Sequence, residues 1–412
     1  MERVVITGMG VVSPLGNSVE SYWNRLIRGE SGISRIDRFD VSRHKSRIAG
    51  LVRDFDGEAL FGRKEARRMD RFSQFALAAA EQAIAQSGLE FERVNSERVG
   101  VFVGSGVGGL QTLVDQDTLL HERGPERVSP LLVPMMISNM AAAMISIKYG
   151  ITGPTMSPVT ACSIGNTSIG EAFRSIRWGV LDAVVAGGAE AAVTELSLAS
   201  FGNATALSSR NDEPAKASRP FDAGRDGFVM AEGAGILVLE SLSHALRRNA
   251  PIFAEVIGYG ATSDAYHMVA THPEGTGAYN AMKLAIQEAG IQPADVSVIS
   301  AHATSTEIGD ISETLAIKKL FGETAGRIPV TANKSMTGHL LGASSAVEAI
   351  GLAQSLRHGI IPPTINLEQP DPACDLDYVP ERAREAELSI GLSNSFGFGG
   401  HNAVIALKSW RA

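Results

Sequence analysis

Short runs rich in Val and Ile alternate along this chain with longer segments whose apolar residues recur at positions i, i+3, i+4 and i+7. The first pattern predicts buried strands, and the second predicts helices that cover them. The predicted strands are residues 3–7, 99–103, 183–186, 235–239, 253–257, 296–301, 328–332 and 403–407. The predicted helices are residues 67–87, 141–149, 164–178, 277–289, 311–320 and 345–358. This alternation predicts an α/β fold with a sheet buried under helices.

Two parts of the chain resemble each other, which suggests an internal duplication. Residues 4–10 read Val-Val-Ile-Thr-Gly-Met-Gly, and residues 255–260 read Glu-Val-Ile-Gly-Tyr-Gly. A Ser-x-x-Glu pattern at Ser168 is repeated at Ser345, in predicted helices that end near Gly179 and Gly359. Strand–Gly and capping patterns also recur in unrelated α/β proteins, so coincidence stays an alternative. A duplication predicts two similar halves, residues 1–250 and 251–412.

The composition excludes several other classes of protein. Of the 412 residues, 44% are apolar and 20% charged, which is not typical of disordered, collagen-like or coiled-coil chains. The formal net charge of −8 does not favour nucleic acid. The two cysteines, Cys162 and Cys374, are too few for a disulfide framework. Because no signal sequence and no run of about 18 apolar residues is present, we expect a soluble cytoplasmic protein without a membrane partner.

Glycine accounts for 43 residues, and several glycines cluster in two loops. Residues 104–109 fit G-x-G-x-x-G, the pattern of dinucleotide-binding loops. Such a site needs a second strand ending in an acidic residue about 20 positions later, but the irregular stretch 120–127 contains no strand-like run. Nucleotide binding is therefore disfavoured, and loop 104–109 is expected to pass close to a ligand or another chain.

The second loop, residues 397–402, reads Gly-Phe-Gly-Gly-His-Asn. A mobile backbone carrying Phe398 suits a gate over a pocket, or a backbone N–H that stabilises an oxyanion. A plain turn that buries Phe396 and Phe398 is the alternative.

Cys162 lies between a short strand-like run and a helix rich in small residues. A thiol at a helix N-terminus is expected to have a lowered pKa and raised nucleophilicity, although a small buried apolar side chain is the alternative. Cys374 lies among carboxylates that would raise its pKa, so it is expected to be inert.

His302 and His339 each follow a predicted strand, in turns rich in hydroxyls and glycine. Strand ends are where α/β sheets collect catalytic groups. A structural role for each histidine is the alternative. A metal site is disfavoured, because no metal-ligand spacing is present and Lys334 would repel a cation.

Together these segments make the sequence similar to the β-ketoacyl-acyl-carrier-protein synthases of type II fatty-acid synthesis, in the thiolase-like superfamily. The motifs that carry the resemblance are residues 5–10, 159–162, 218–222, 225–235, 302–306, 334–339 and 394–402. The Cys-His-His set with Lys334 resembles the elongating, synthase II type. The resemblance implies a homodimer of thiolase-like chains, each of two duplicated halves in five α-β-α-β-α layers.

The resemblance also implies roles for individual residues. Cys162 would accept the acyl group from a carrier protein and then react with a malonyl thioester, while His302 and His339 would stabilise the enolate. The N–H groups of Cys162 and Phe398 would bind the oxyanion, and Phe398 would also act as the gate. Lys334 would orient the histidines, supported by Glu313 and Asp310. The residues implied in pantetheine and acyl binding are Thr304, Thr306, Val107, Phe201 and Phe396. No cofactor is implied beyond the phosphopantetheine on the carrier.

This sequence departs from the family pattern at several positions. Ala303 and Glu307 replace the usual Gly and Pro, and Ser163 and Ile164 replace the usual Ala and Thr after the nucleophile. We expect condensation to be retained while substrate geometry differs. A secondary-metabolism ketosynthase and a non-catalytic chain-length-factor-like subunit are the alternatives, and Cys162 argues against the second.

The carrier proteins of this family are acidic, so a basic docking surface is expected. Lys64, Arg67, Arg68 and Arg71 cluster at helical spacing, and Arg127 would extend the cluster. An ordinary solvated face is the alternative.

Overall fold

The computed structural model describes residues 1–411, which form strands β1 to β14, helices α1 to α14 and short 3₁₀ turns. The strands are β1 Val4–Val12, β2 Ile33–Arg35, β3 Ile48–Gly50, β4 Val99–Gly104, β5 Thr155–Met156, β6 Ala183–Glu190, β7 Gly233–Ser241, β8 Ala254–Ser263, β9 Val298–Ser300, β10 Val330–Thr331, β11 Ile360–Ile361, β12 Arg384–Glu385, β13 Ile390–Gly397 and β14 His401–Ser409.

The helices vary from single turns to five turns. They are α1 Val19–Ile27, α2 Gly57–Phe61, α3 Arg63–Ala66, α4 Arg71–Ser87, α5 Leu110–Arg123, α6 Leu132–Met136, α7 Met140–Tyr149, α8 Ile164–Arg177, α9 Glu195–Asn203, α10 Leu242–Arg247, α11 Thr276–Ala289, α12 Glu307–Phe321, α13 Lys334–Thr337 and α14 Ser344–His358. None of these helices within residues 1–411 is long and apolar enough to cross a membrane.

Ten strands form one hydrogen-bonded sheet, in the order β10-β9-β13-β14-β8-β1-β7-β6-β4-β5. On one side of β1, the neighbouring pairs β1–β7 and β7–β6 are antiparallel, and the pairs β6–β4 and β4–β5 are parallel. On the other side, the pairs β8–β14 and β14–β13 are likewise antiparallel, and the pairs β13–β9 and β9–β10 are parallel. The two five-stranded halves therefore share one topology and meet where β1 pairs with β8.

The helices divide the molecule into layers. Helices α8 and α14 contact each other and strands of both half-sheets, so they lie between them. Helix α4 packs on β1 and β7 on one outer side, and α11 packs on β8 and β14 on the other. Three large apolar cores fill the central layer and the two outer interfaces. The result is five layers, α-β-α-β-α.

The glycines of the repeated strand motif explain how closely the outer helices pack. Strands β1 and β8 each have a register shift just before a Gly-x-Gly pair. A Cβ at any of these four glycines would overlap the backbone carbonyl of an alanine on the helix above. The pairs are Gly8 with Ala83 and Gly10 with Ala79 under α4, and Gly258 with Ala285 and Gly260 with Ala281 under α11.

The two central helices also begin alike. Ala161 and Leu341 both have positive φ, 51° and 50°, and each opens a 3₁₀ turn that leads into α8 or α14. The turns begin 180 positions apart, and so do the glycines at the helix ends, Gly179 and Gly359. The proposed match of Ser168 with Ser345, 177 positions apart, is therefore out of register by three residues.

Three differences from the sequence prediction have clear causes. Strand β13 was missed because Ser393, Asn394 and Ser395 interrupt its apolar pattern, although all three are buried in the folded protein. The stretch 120–127, expected to be irregular, begins with the last turn of α5. The predicted helix 67–87 starts at Arg71, because the Asp70 side chain caps it by accepting from the N–H of Phe72.

Replacement of Gly10 tests the close contact between sheet and helix. We expect Gly10→Ala to lower the free energy of unfolding by about 3 kcal/mol, because the new Cβ overlaps the carbonyl of Ala79. Urea unfolding measures the change. The control is Gly326→Ala, where a Cβ meets no atom within 4 Å and φ is ordinary, so an equal loss in both variants would contradict the explanation.

Candidate active site

Cys162 lies in the 3₁₀ turn Ala161–Ser163, directly before the first residue of α8. Its carbonyl accepts hydrogen bonds from Ser395 Oγ at 2.9 Å and from Ser345 Oγ at 3.3 Å, so both residues from the second half hold this turn. The strand–turn–helix context expected for Cys162 is present. The turn delivers its thiol to the boundary between the two halves.

The predicted low pKa of the Cys162 thiol is wrong for the unliganded protein. Burial raises the pKa of this thiol to about 11, against the opposing effects of the Lys334 ammonium and the backbone N–H groups of Phe398 and Cys162. The helix N-terminus is in place, but the loss of water outweighs it. The resting residue is therefore a thiol at neutral pH.

His339 contacts the thiol directly. It follows α13, and its Nε2 lies 3.0 Å from Cys162 Sγ. On the other side of the ring, Nδ1 lies 2.9 Å from Ser344 Oγ. Phe228 packs edge-on against the imidazole at 5.3 Å between centroids, which closes the pocket on that side.

His302 completes a triad of side chains around the thiol. It follows β9, and its ring is edge-on to His339 and Phe396, each 5.6 Å away between centroids. Burial, and then the Lys334 charge, hold the pKa of His302 and of His339 well below the ordinary histidine value. Both imidazoles are therefore neutral at physiological pH.

Lys334 is buried and forms its ion pair with Glu348, at 2.6 Å between Nζ and Oε1. The same Nζ lies 3.5 Å from His302 Nδ1. Burial raises the pKa of Glu348 to about 7 although Lys334 opposes the shift. The sequence analysis missed this pair, since it treated Glu348 as part of a capping pattern. The available signal was an acid within the otherwise uncharged run Ser344–Leu356 of α14.

Glu313 and Asp310 form their hydrogen bonds with groups other than Lys334, mainly backbone N–H groups, while the Lys334 charge also lowers the pKa of Glu313. Glu313 accepts from the N–H groups of His302 and Ala303, at 2.9 and 2.8 Å, and from Asn394 Nδ2 at 2.9 Å. Asp310 accepts from the N–H groups of residues 221 and 305 and lies 3.5 Å from the Arg225 guanidinium. Burial raises the pKa of both acids, that of Asp310 to about 7. The two carboxylates hold the turn that carries His302.

Thr304 and Thr306 follow His302 in the same turn, with their hydroxyls 3.0 Å apart. Ala303 and Ser305 have positive φ, 32° and 68°. Ala303, where the resembled family usually has Gly, therefore occupies a conformation that is unfavourable for a residue with Cβ.

A chain of aromatic contacts connects Phe398 to His339, by way of Phe201 and then Phe228. Phe201 is 5.5 Å from Phe228 and 6.3 Å from Phe398, and Phe398 is partly exposed. Val107 is exposed on loop 104–109.

Glu190, which the sequence analysis did not single out, holds that loop. Its buried carboxylate accepts from Ser105 Oγ at 2.8 Å, from the N–H groups of Gly106 and Val107 at 2.9 and 3.3 Å, and from the N–H of Gly342 at 3.1 Å. It ties the first half to the turn that precedes α14.

The five basic residues expected to dock a carrier do not lie on one helix. Lys64 is on α3, Arg67 and Arg68 lie between α3 and α4, and all three are exposed. Arg71 begins α4, where its guanidinium covers Phe75 at 4.7 Å and lies 3.8 Å from Glu232. The predicted helical spacing through Arg71 is therefore wrong. Arg127 is exposed in a separate 3₁₀ turn.

Cys374, the second cysteine, is also buried, and the pKa of its thiol is raised to about 11. The main cause is burial, and the carboxylates of the sequence prediction make only a minor contribution. Among residues 1–411, no group of three or more His, Cys, Asp or Glu side chains is arranged to hold a metal ion.

Comparisons with known proteins agree with this geometry. The family model "Beta-ketoacyl synthase, N-terminal domain" matches residues 1–245, and "Beta-ketoacyl synthase, C-terminal domain" matches residues 253–368. The chain is 50% identical to 3-oxoacyl-[acyl-carrier-protein] synthase 2 of Synechocystis and 48% identical to that of Staphylococcus aureus, over 100% of this chain and 99% of each relative.

Solved structures are similar as well. A beta-ketoacyl synthase from Burkholderia phymatum is 36% identical with a TM-score of 0.93. A type II polyketide ketosynthase in complex with its acyl-carrier protein is 36% identical with a TM-score of 0.92. Both matches cover 100% of each chain. The predicted thiolase-like fold of duplicated halves is confirmed.

The raised pKa of Cys162 predicts how the thiol reacts with iodoacetamide. In a Cys374→Ala background, the alkylation rate should rise with pH to a midpoint near 11, because only the thiolate reacts. Lys334→Met should slow alkylation at pH 8, since it removes a nearby positive charge, whereas the exposed Lys408→Met should not. A midpoint below pH 8 would contradict this account of burial.

Proposed function

The chain belongs to the beta-ketoacyl synthase family, and from this membership we propose that Cys162, His302 and His339 are the catalytic residues of a 3-oxoacyl-[acyl-carrier-protein] synthase that elongates fatty acids. The enzyme is an acyltransferase of the ketosynthase type. The observation that carries the residue assignment is the 3.0 Å contact between Cys162 Sγ and His339 Nε2, with the ring of His302 beside them in a buried pocket.

In the first step Cys162 takes the acyl group from the carrier's phosphopantetheine. Its sulfur bonds to the thioester carbonyl carbon, the bond from that carbon to the pantetheine sulfur breaks, and the thiol proton ends on the departing sulfur. The N–H groups of Cys162 and Phe398 both stabilise negative charge at this thiol. The same two donors therefore suit the oxyanion of the tetrahedral intermediate.

In the second step a malonyl thioester loses CO₂, and the electron pair of the broken bond forms a thioester enolate. Its carbon attacks the acyl-Cys162 carbonyl, the carbon–sulfur bond breaks, and the Cys162 thiolate and a 3-ketoacyl-carrier are released. His302 and His339 are neutral, so each donates one hydrogen bond to the enolate oxygen. These bonds strengthen as charge develops, which lowers the barrier.

The remaining residues serve binding and orientation. Lys334 orients His302, while Glu313 and Asp310 hold its turn. Thr304 and Thr306 bind the pantetheine arm, and Val107, Phe201 and Phe396 line the acyl pocket with Phe398 as its gate. The enzyme needs no cofactor of its own, because the carrier supplies the phosphopantetheine.

Fatty-acid elongation is favoured over polyketide synthesis by similarity. The 3-oxoacyl synthases are 48–50% identical to this chain, whereas the type II polyketide ketosynthase of known structure is 36% identical. Purified protein that elongates a saturated acyl-carrier without a partner subunit supports the proposal. Activity only on polyketide intermediates with such a subunit would favour the alternative.

We further propose that the halves are residues 1–250 and 251–412, and that the protein is a cytoplasmic homodimer. Strand β5 is a free edge of the sheet. Nine exposed apolar side chains lie in the part of the chain that leads up to and through this strand, between residues 107 and 159: Val107, Leu113, Leu120, Leu131, Val133, Ile137, Ile147, Met156 and Val159. Such a surface suits pairing with a second copy, and two free, buried thiols suit a reducing compartment.

Three variants test the catalytic assignment. Cys162→Ala should form no acyl-enzyme and lose at least about 10³-fold in kcat. His302→Ala should still form acyl-Cys162 while condensation falls by about 10²-fold, because one enolate donor is lost. Cys374→Ala is the control and should retain full activity. Radiolabelled acyl-enzyme and the 3-ketoacyl product are measured separately, and acylation of Cys162→Ala would refute the nucleophile.

Charge reversal tests docking of the acidic carrier. The triple variant Lys64→Glu, Arg67→Glu, Arg68→Glu should raise KM for acyl-carrier about tenfold with little change in kcat, and weaken the salt dependence of KM. Arg93→Glu is the control, because Arg93 follows the far end of α4 in the chain, in a separate 3₁₀ turn, and α4 itself is about 25 Å long. Equal effects of the two changes would place docking elsewhere.

A further inference from the structure

The two histidines have different neighbours at Nδ1, and these neighbours decide which nitrogen carries the proton. His302 Nδ1 faces the Lys334 ammonium at 3.5 Å. His339 Nδ1 faces the hydroxyl of Ser344 at 2.9 Å. His339 and Ser344 are 3% and 1% exposed, so water does not compete for this contact.

A neutral imidazole has one N–H, so it donates from Nε2 only when Nδ1 accepts. An ammonium can only donate, so Lys334 fixes His302 with its proton on Nε2. A serine hydroxyl can donate or accept. At the first residue of α14, Ser344 Oγ forms its hydrogen bond with His339 Nδ1 instead of returning it to a carbonyl of the preceding turn.

We propose that Ser344 is a positioning residue that donates its O–H to His339 Nδ1 and thereby holds the proton of His339 on Nε2. Both imidazoles then present Nε2–H to the same pocket. The short contact between Ser344 Oγ and His339 Nδ1 supports this tautomer, while its importance in condensation rests on the proposed function.

One tautomer of His339 then serves both steps of the reaction. With Nε2 at 3.0 Å from Cys162 Sγ, the N–H stabilises the negative charge that develops on the sulfur as the thiol gives up its proton and attacks the acyl thioester. After acylation, the same N–H is free to donate to the enolate oxygen. Neither step requires the ring to exchange its proton between nitrogens.

Kinetics of three serine variants test the role. Ser344→Ala should lower kcat for condensation about tenfold or more with little change in KM, and slow iodoacetamide alkylation of Cys162 at pH 8. Ser344→Thr keeps the hydroxyl and should restore kcat to within about threefold. Ser355→Ala is the control, because Ser355 is a buried serine of the same helix that bonds only the carbonyl of Gly351. A kcat for Ser344→Ala within twofold of wild type would overturn the proposal.

Nitrogen-15 NMR of histidine-labelled wild-type protein tests the tautomer without substrate. The His339 signals, assigned by their loss in His339→Gln, should show an unprotonated Nδ1 and a protonated Nε2, and Ser344→Ala should lose this preference. A protonated Nδ1 in the wild type would overturn the proposal even if Ser344→Ala does not fold. Since this measurement needs no acyl carrier, its result is independent of whether the protein condenses acyl thioesters.

Discussion

The site depends on how closely the first turns of the two central helices approach each other. A side chain at Gly165, in the first turn of α8, would overlap the backbone nitrogen of Ala346 in α14. The Asn166 N–H donates to Ser345 Oγ at 3.1 Å, and that hydroxyl also bonds the Cys162 carbonyl. The approach therefore fixes the nucleophile's turn against the half that supplies the histidines. Because each half contributes groups that the other lacks, neither half contains a complete site.

Burial controls the chemistry of the groups brought together in this way. Water is excluded from the Cys162 thiol, both imidazoles and the Glu348 carboxyl, and burial shifts the pKa of each of these four groups so that its neutral form is favoured. The Lys334 charge lowers the pKa of the Cys162 thiol and of both histidines, so it favours the thiolate and disfavours the imidazolium ions. One buried cation thus favours ionisation of the proposed nucleophile, Cys162, and keeps the two imidazoles neutral.

The sequence predicted the outline of the fold and the motif residues, and it failed where contacts between distant segments decide. Strand periodicity and glycine spacing located eight of the strands and suggested the duplication. The partner of Lys334 could not be identified, because Glu348 looks like a helix cap until α14 is placed beside α13. The pKa of Cys162 was misjudged for the same reason, since local sequence reveals the helix N-terminus but not the depth of burial. Strand β13 was missed because three of its buried residues, Ser393, Asn394 and Ser395, are polar, so the run lacks the apolar pattern of a strand.

The duplication also explains why the second half has no counterpart of Cys162, the proposed nucleophile. The turns before α8 and α14 share their backbone geometry, and Cys162 and Gly342 occupy equivalent positions, 180 residues apart. A Cβ at Gly342 would lie 2.7 Å from the Glu190 carboxylate and 3.0 Å from the nitrogen of Gly106. A cysteine there would displace the acid that holds loop 104–109, and its thiol would lie next to a carboxylate that opposes ionisation. The second turn therefore binds Glu190 through its N–H, and the one reactive thiol stays in the first half.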